Sequence, residues 1–240
     1  MIEDIPKRKA AEQAVEFVEN GMILGLGTGS TVFYALRRLG DRIRTGQLRD
    51  VAGVPTSEAT ARLAREFGIP LTTLDEHSHL DLTIDGADEV DPDLNLIKGL
   101  GGALLREKIV AAASHRLIIV VDDSKLVDRL GVHAPLPVEA VPFGWQLHIP
   151  YLENLGANPT LRRTADGEPY FTDGGHYIID CQFAGIDDAS ALAIALSAQP
   201  GIVEHGLFLD MADTVVVGTP EGVSMYQSIT PLQQHTAHKE

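Results

Sequence analysis

Only one cysteine, Cys181, occurs in the 240 residues. An intrachain disulfide is therefore excluded, which fits a reducing compartment, and a small buried apolar role suits this thiol better than a catalytic one. Positive charge is also scarce: 19 lysines and arginines face 34 aspartates and glutamates, for a formal net charge of -15. That balance argues against a nucleic-acid backbone or an anionic membrane surface as the main partner, so any bound anion must be held by local groups. No apolar run approaches the length of a membrane span, and Met1-Ile2-Glu3-Asp4 lacks the basic-then-apolar pattern of a signal peptide. The expected location is cytoplasmic. The nine histidines form no His-Glu-x-x-His pair, and there is no Gly-x-Ser-x-Gly elbow. His77-Ser78-His79 reads as an exposed loop pair, so no metal is expected. What remains is ordinary for a globular chain: 44% hydrophobic and 22% charged residues, in a length that suits one large domain with a smaller one appended.

Periodicity then orders the chain. Ala11, Ala14, Val15 and Val18 form one stripe that predicts a helix over residues 7–20, with Gly21 as its stop. Residues 22–26 read as a strand, Gly27-Thr28-Gly29-Ser30-Thr31 as a turn, and the next helix is expected to end near Gly40. A strand over 51–54 leads through Thr56-Ser57 into a helix reaching Phe67, and Leu80, Leu82 and Ile84 alternate with Asp81, Thr83 and Asp85. The apolar run 117–121 follows a helix whose expected buried stripe is Leu105, Ile109, Ala112 and Ala113. Strands alternating with helices imply an α/β fold, a parallel sheet covered on both faces. After about residue 130, Pro135, Pro137, Pro142 and Pro150 mark a boundary, and a hairpin-like run over 170–183 turns at Asp173-Gly174-Gly175. A small α+β unit is expected there. Residues 188–198 read as a helix, 214–218 as a strand returning to the first sheet, and the chain from Gln233 onward as a frayed tail.

Ligands of open parallel sheets bind beyond the carboxyl ends of the strands, and four such places carry chemistry. The 25–31 segment, Gly25-Leu26-Gly27-Thr28-Gly29-Ser30-Thr31, lets backbone N–H groups approach an anion at a helix N-terminus, or is simply a tight strand-to-helix turn. Ser30 stands where a dinucleotide fingerprint needs its third glycine, and no Lys-Ser or Lys-Thr follows as in a P-loop. Asp85, Asp88, Glu89, Asp91 and Asp93 crowd within nine residues. A calcium loop counted from Asp91 fails, because Leu96 and Gly102 occupy its glycine and glutamate positions. Lys98-Gly99-Leu100-Gly101-Gly102 delivers a cation just before a helix carrying Arg106-Glu107-Lys108, with Glu107 off the expected apolar stripe and facing outward or into a cleft. Asp122-Asp123-Ser124-Lys125 closes the set. A phosphate site, two lysines and several carboxylates along one sheet edge suit proton transfer on a small phosphorylated molecule.

In order and spacing, Gly-Thr-Gly-Ser-Thr at 27–31, Ile-Asp-Gly-Ala-Asp-Glu at 84–89, Ile-Lys-Gly at 97–99 with Arg-Glu-Lys-Ile at 106–109, and Asp-Asp-Ser-Lys at 122–125 resemble the type A ribose-5-phosphate isomerase family. Pro-Gly-Ile-Val-Glu-His-Gly-Leu-Phe at 200–208 resembles its late motif. The resemblance implies a Rossmann-like domain, residues 1–130 and 206–240, with a smaller α+β domain, residues 131–205, inserted. It further implies cofactor-free interconversion of ribose 5-phosphate and ribulose 5-phosphate in the pentose phosphate pathway by a homodimer or homotetramer. By the same resemblance Glu107 is the general base, Lys98 stabilises the enediolate oxygen, and Asp85 and Asp88 assist ring opening and hold hydroxyls. Thr28, Gly29, Ser30, Thr31, Gly86, Ala87, Gly99 and Gly101 would line the substrate, with Lys7 and Lys125 as nearby cations. Leu100, His176 and His205 depart from the family's usual residues. The competing readings are a non-catalytic sugar-phosphate sensor and an acyl or CoA transferase; no helix-turn-helix precedes Lys7, and no CoA-type signature is present.

Overall fold

The computed structural model describes residues 4–228, so the tail expected to fray from Gln233 lies outside them. Helix α1 (Ile5–Val15) is opened by Asp4, whose side chain accepts the Lys7 N–H, and by Pro6 in its first turn. It stops five residues short of the expected end, yet Val18 is still buried, because 3-10-type bonds tighten the last turn onto the core. Strand β1 (Ile23–Leu26), helix α2 (Ser30–Arg44), strand β2 (Ala52–Pro55) and helix α3 (Glu58–Glu66) follow. Helix α2 runs four residues past Gly40, where its expected stop lay. At that position a Cβ would lie 2.4 Å from the Phe67 carbonyl oxygen, so the glycine serves close packing inside the helix rather than its end.

The chain continues through β3 (Leu82–Asp85), two short strands β4 (Glu89–Val90) and β5 (Leu96–Ile97), helix α4 (Leu104–Ala112) and β6 (Leu117–Asp122). Then come β7 (Leu136–Ala140), α5 (His148–Asn154), β8 (Asn158–Leu161), β9 (Tyr177–Gln182), α6 (Ala189–Ala198), β10 (Ile202–His205), β11 (Leu207–Phe208), β12 (Thr214–Gly218) and β13 (Val223–Gln227). The main sheet has the order β13-β12-β6-β3-β1-β2 and is parallel except for β13. Strand 214–218 does return to it, beside β6. A four-stranded antiparallel sheet, β10-β7-β9-β8, and a three-stranded one, β11-β5-β4, complete the fold. The Thr172–His176 turn is present, but β9 takes β8 and β7 as its partners, so the run 170–183 is not itself a hairpin.

Continuous apolar strands mark a sheet buried on both faces. Leu24, Leu26, Leu82, Ile84, Ile118 and Val120 pack under α1 and α2, whereas Leu117, Ile119, Val121, Val215 and Val217 face the opposite side with Ala111 of α4 and Phe208. Each such side chain contributes roughly 1.5–3 kcal/mol by leaving water. Thr83 is buried rather than solvated as strict alternation implied, and its hydroxyl bonds Ser114 at 2.6 Å.

The largest correction concerns α4. Its buried residues are Leu104, Glu107, Val110 and Ala111, and Ile109 of the expected stripe is 49% exposed. The helix is apolar on two overlapping stripes, and the expected one was the one that left Glu107 out. Burying a lone carboxylate costs several kcal/mol, so the choice made in the fold requires a compensating charge.

Candidate active site

From β1 the chain runs to β2 on one side and then back to β3 on the other, a reversal that opens a crevice beyond the strand ends. The 27–31 turn and the 85–88 turn flank that crevice. Gly27 has no room for a side chain, since a Cβ there would lie 2.2 Å from Asp85 Oδ1. Asp85, 1% exposed, takes that space; its Oδ1 accepts from Thr28 N at 3.1 Å and Gly86 N at 2.8 Å. The other oxygen, Oδ2, lies 3.0 Å from Lys98 Nζ.

Lys98 is the hub. Its ammonium also donates to the Gly86 carbonyl at 2.5 Å and stands 3.4 Å from Glu107 Oε1. The Phe208 ring lies beneath it, 5.4 Å from Nζ to centroid. Burial works to strip the lysine of its proton, but the carboxylates of Asp85 and Glu107 outweigh it and hold the ammonium above the ordinary lysine range. Glu107 moves the other way from a surface glutamate. Burial, helped by the charges of Asp85 and Asp88 and opposed by Lys98, pushes it up to about 8. Its second oxygen, Oε2, is buried and has no hydrogen-bond partner. Glu139 also leaves Oε2 unpartnered, but its Oε1 accepts from the Thr172 hydroxyl and pairs with His176, anchoring the 172–176 turn.

Asp88 approaches the same group from the loop between β3 and β4. Its Oδ2 accepts from Leu100 N at 2.9 Å. Burial raises it, against that N–H and the charges of Lys98, Lys125 and Arg162. Gly101 lies close to the Thr28 methyl and Gly86 close to the Thr28 carbonyl, so the three loops converge on one point. Gly99 is buried with φ 106, and Ala87 is half-buried beside the apolar layer under β6.

At the 27–31 turn, Gly29 (φ 127) and Ser30 are exposed at the start of α2, Thr31 is buried, and no side chain caps the helix. That leaves first-turn N–H groups suited to an anion. Thr28 differs from expectation, because its hydroxyl faces Thr56, Ser57 and Thr60 at 2.8, 2.9 and 3.0 Å rather than open space. Ser57 also caps α3, and Thr60 reaches back to the Gly27 carbonyl at 2.8 Å. Lys7 and Lys125 stand outside the hydrogen-bonded cluster. Lys7 pairs with Asp4 at 2.9 Å where α1 begins against the end of β12, and Lys125 follows β6.

Two kinds of residue escaped the sequence reading. Arg162 and Tyr170 come from the antiparallel unit, sixty or more positions from the turn they touch. Glu89, read only as part of an acidic cluster, is a buried anion that accepts from Gly131, His133 and Ala134 N–H, each at 2.6 Å. Asp91 likewise takes Asp93 N and Asn95 N. The carboxylate crowding is resolved by giving Asp85, Asp88, Glu89 and Asp91 their own backbone donors and leaving Asp93 exposed to water. Nothing local in the sequence signals either arrangement; the three glycines around Lys98 were the one hint that another chain segment comes close.

The fold and its crevice define an α/β protein with a buried lysine–glutamate pair at the sheet's switch point, an arrangement able to move a proton on a small anionic ligand. Residues 52–222 match the family model for ribose 5-phosphate isomerase A (phosphoriboisomerase A). The chain is 56% identical over 223 residues to ribose-5-phosphate isomerase A of Roseiflexus castenholzii, covering 93% of this chain and 95% of that protein. It is 57% identical over 223 residues to the Gloeobacter violaceus protein of the same name, covering 92% and 96%. Among solved structures, ribose 5-phosphate isomerase from Plasmodium falciparum is similar with a TM-score of 0.90 at 41% identity, over 93% of this chain and 98% of that one. A D-ribose-5-phosphate isomerase in complex with phospho-erythronic acid gives 0.89 at 43%, over 92% and 97%. The chain belongs to the ribose-5-phosphate isomerase A family.

Proposed function

We propose that this chain interconverts ribose 5-phosphate and ribulose 5-phosphate through an enediolate, as a step of the pentose phosphate pathway. The observation that carries the reading is Glu107: a buried carboxyl with one oxygen beside Lys98 and the other unpartnered. In the open-chain aldose, Glu107 takes the C2 proton and the electron pair forms the C1–C2 double bond, with negative charge moving to the C1 oxygen. Lys98, held protonated, stabilises that oxygen as charge develops. Glu107 returns its proton to C1 while the hydroxyl proton passes from the C2 oxygen to the C1 oxygen, which completes the ketose with every atom balanced. A base raised toward neutral pH suits a group that must accept and then donate.

Asp85 and Asp88 assist ring opening and hold hydroxyls in this reading, with Asp85 also fixing Lys98. The exposed start of α2, with Gly29, Ser30 and Thr31, receives the phosphate, joined by Lys7 and Lys125, while Thr28, Gly86, Ala87, Gly99 and Gly101 line the sugar. Residues 131–205 form the inserted unit; the four-stranded sheet spanning β7 to β10 supports this division. The chain pairs as a homodimer or homotetramer. Residues 141–152 carry no Asp, Glu, Lys or Arg and include Phe143 (95% exposed) and Leu147 (75% exposed), an uncharged surface on which like-charged copies can meet. The cytoplasmic placement rests on the lone cysteine, whose buried thiol is pushed up to about 12; among the described residues no helix is long and apolar enough to cross a membrane.

The test is ribulose 5-phosphate formation from ribose 5-phosphate by purified protein in the presence of EDTA, beside Glu107→Gln. Conversion by the parent with loss of about 10²–10⁴-fold in the variant is expected for a general base. Binding without conversion by the folded parent would move the weight to a sugar-phosphate sensor.

A further inference from the structure

Just beyond β8, Arg162 spends its whole guanidinium on two tasks. Nε and Nη2 form a fork with the two carboxylate oxygens of Asp180 on β9. Nη1 points away and donates to two successive carbonyls, Gly99 at 3.0 Å and Leu100 at 3.1 Å. These carbonyls belong to the turn that carries Lys98 at one end and leads into α4 at the other. Tyr170, 5.9 Å from the Arg162 guanidinium carbon to its ring centre, presses on the same turn, and its hydroxyl fills the space a Cβ of Gly102 would need at 2.2 Å. On the far side of the turn, Lys98 N donates to the Gly206 carbonyl and Leu100 N to Asp88. The turn is thus held on both sides, and the hold from the antiparallel unit is arginine.

We propose that Arg162 is a positioning residue for the isomerisation: the Asp180-braced guanidinium clamps the 99–100 backbone, which places Lys98 against Glu107 and aims the Leu100 N–H at Asp88. This rests on the functional reading above. Three observations point the same way. Asp180 binds the fork through two atoms, so the direction of Nη1 is fixed rather than free to rotate. The two carbonyls receive one donor each from the same nitrogen, which locks the peptide between Gly99 and Leu100. The Lys98–Glu107 separation of 3.4 Å leaves little tolerance, because a misplacement of about 1 Å at a reacting group costs on the order of 10²-fold. Arg162 also acts on Asp88 by charge. The groups facing Asp88 are Lys98, Lys125, Arg162 and the Leu100 N–H, with the Glu107 carboxyl coupled to it across Lys98. Removing one of the three cations lets burial raise Asp88 further, so an acid limb governed by Asp88 moves to higher pH.

The experiment compares Arg162→Ala, Arg162→Lys and Asp180→Asn with the parent in kcat, KM and their pH profiles, alongside thermal melts. For Arg162→Ala a fall in kcat of about 10²-fold with KM nearly unchanged is expected, together with an acid limb displaced upward. Arg162→Lys keeps the charge and loses the fork, so its kcat falls while its acid limb stays near the parent's. Asp180→Asn reproduces the kcat loss, and combining it with Arg162→Ala adds little further. If Arg162→Ala is too unstable to assay, the lysine and Asp180 variants carry the same decision. Parent-like kcat and pH profile in variants that melt lower would reduce Arg162 to a structural tie and overturn the proposal. Should the parent itself convert nothing, the functional reading falls instead. The Leu100 amide resonance, followed by NMR in parent and the charge-conserving Arg162→Lys, then decides the clamp by itself: loss of its hydrogen bond to Asp88 supports it, and an unchanged resonance sinks it.

Discussion

Glu89 on β4 and Glu107 on α4 are both almost wholly buried, at 1% and 4% exposed. Glu89 receives three backbone N–H groups at 2.6 Å and ties the 131–134 segment to β4. Glu107 receives none; it has Lys98 at 3.4 Å on one oxygen and no partner on the other. The first is an anion saturated by fixed dipoles, with each such bond contributing roughly 1.5–3 kcal/mol. The second keeps a lone pair available and pays for it in desolvation. Identical side chains at similar burial are therefore left in opposite conditions, one saturated by backbone donors and one with an oxygen free for the role proposed above, and the number of donors separates them.

The sharpest way to break this contrast is a paired substitution. Glu107→Gln is expected to lower kcat by about 10³-fold without lowering thermal stability, whereas Glu89→Gln leaves turnover per folded molecule near the parent value. Equal kcat losses in the two variants would erase the distinction. Next in size, Glu89→Gln should cost about 3 kcal/mol in urea melts, since an amide NH₂ now meets backbone donors and leaves buried N–H groups unsatisfied. A loss below about 1 kcal/mol would show that water replaces the carboxylate there.

A third comparison uses pH. The folded state holds the Glu107 proton more tightly than the unfolded chain, from an ordinary 4.5 up to about 8. The stabilisation is therefore complete below the unfolded value and is lost as pH rises through the folded one. Glutamine does not titrate, so the Tm of Glu107→Gln minus that of the parent should widen between pH 5 and pH 8 and level off above. A constant difference would mean that Lys98 keeps Glu107 ionised throughout. The smallest effect expected is that of Thr28→Val. It removes the hub of the Thr56, Ser57 and Thr60 hydroxyl group for about 1 kcal/mol of stability and changes KM for ribose 5-phosphate little, because that hydroxyl is already engaged. A large rise in KM would return the Thr28 hydroxyl to the substrate.

Most of the architecture was legible because it is local. The Val18 stripe, Ser57 before α3, Asp188 before α6 and the apolar run at β6 announce themselves within one or two turns of chain. The departures Leu100, His176 and His205 find places once the structure is known. Leu100 uses its backbone N–H on Asp88 and its carbonyl on Arg162 while its side chain is exposed, and His176 braces Glu139. His205 lies buried beside Lys108, pushed down to about 4 by burial and then by the Lys108 charge. None of these contacts could be inferred from spacing, since each joins segments far apart in the chain.

By itself, the sequence determined the alternation of strands and helices, the glycine turn at the end of β1, and the ordered motifs that bring Asp85, Asp88, Lys98 and Glu107 to one sheet edge. Those follow from side-chain period and backbone freedom, which act over a few residues. Only the tertiary structure decided which stripe of α4 turns inward. An isolated helix gains more by burying Ile109 than Glu107, and the balance reverses when Lys98 arrives from the preceding turn, with Asp85 behind it and Arg162 clamping the backbone between them, to compensate a charge that water would otherwise have kept.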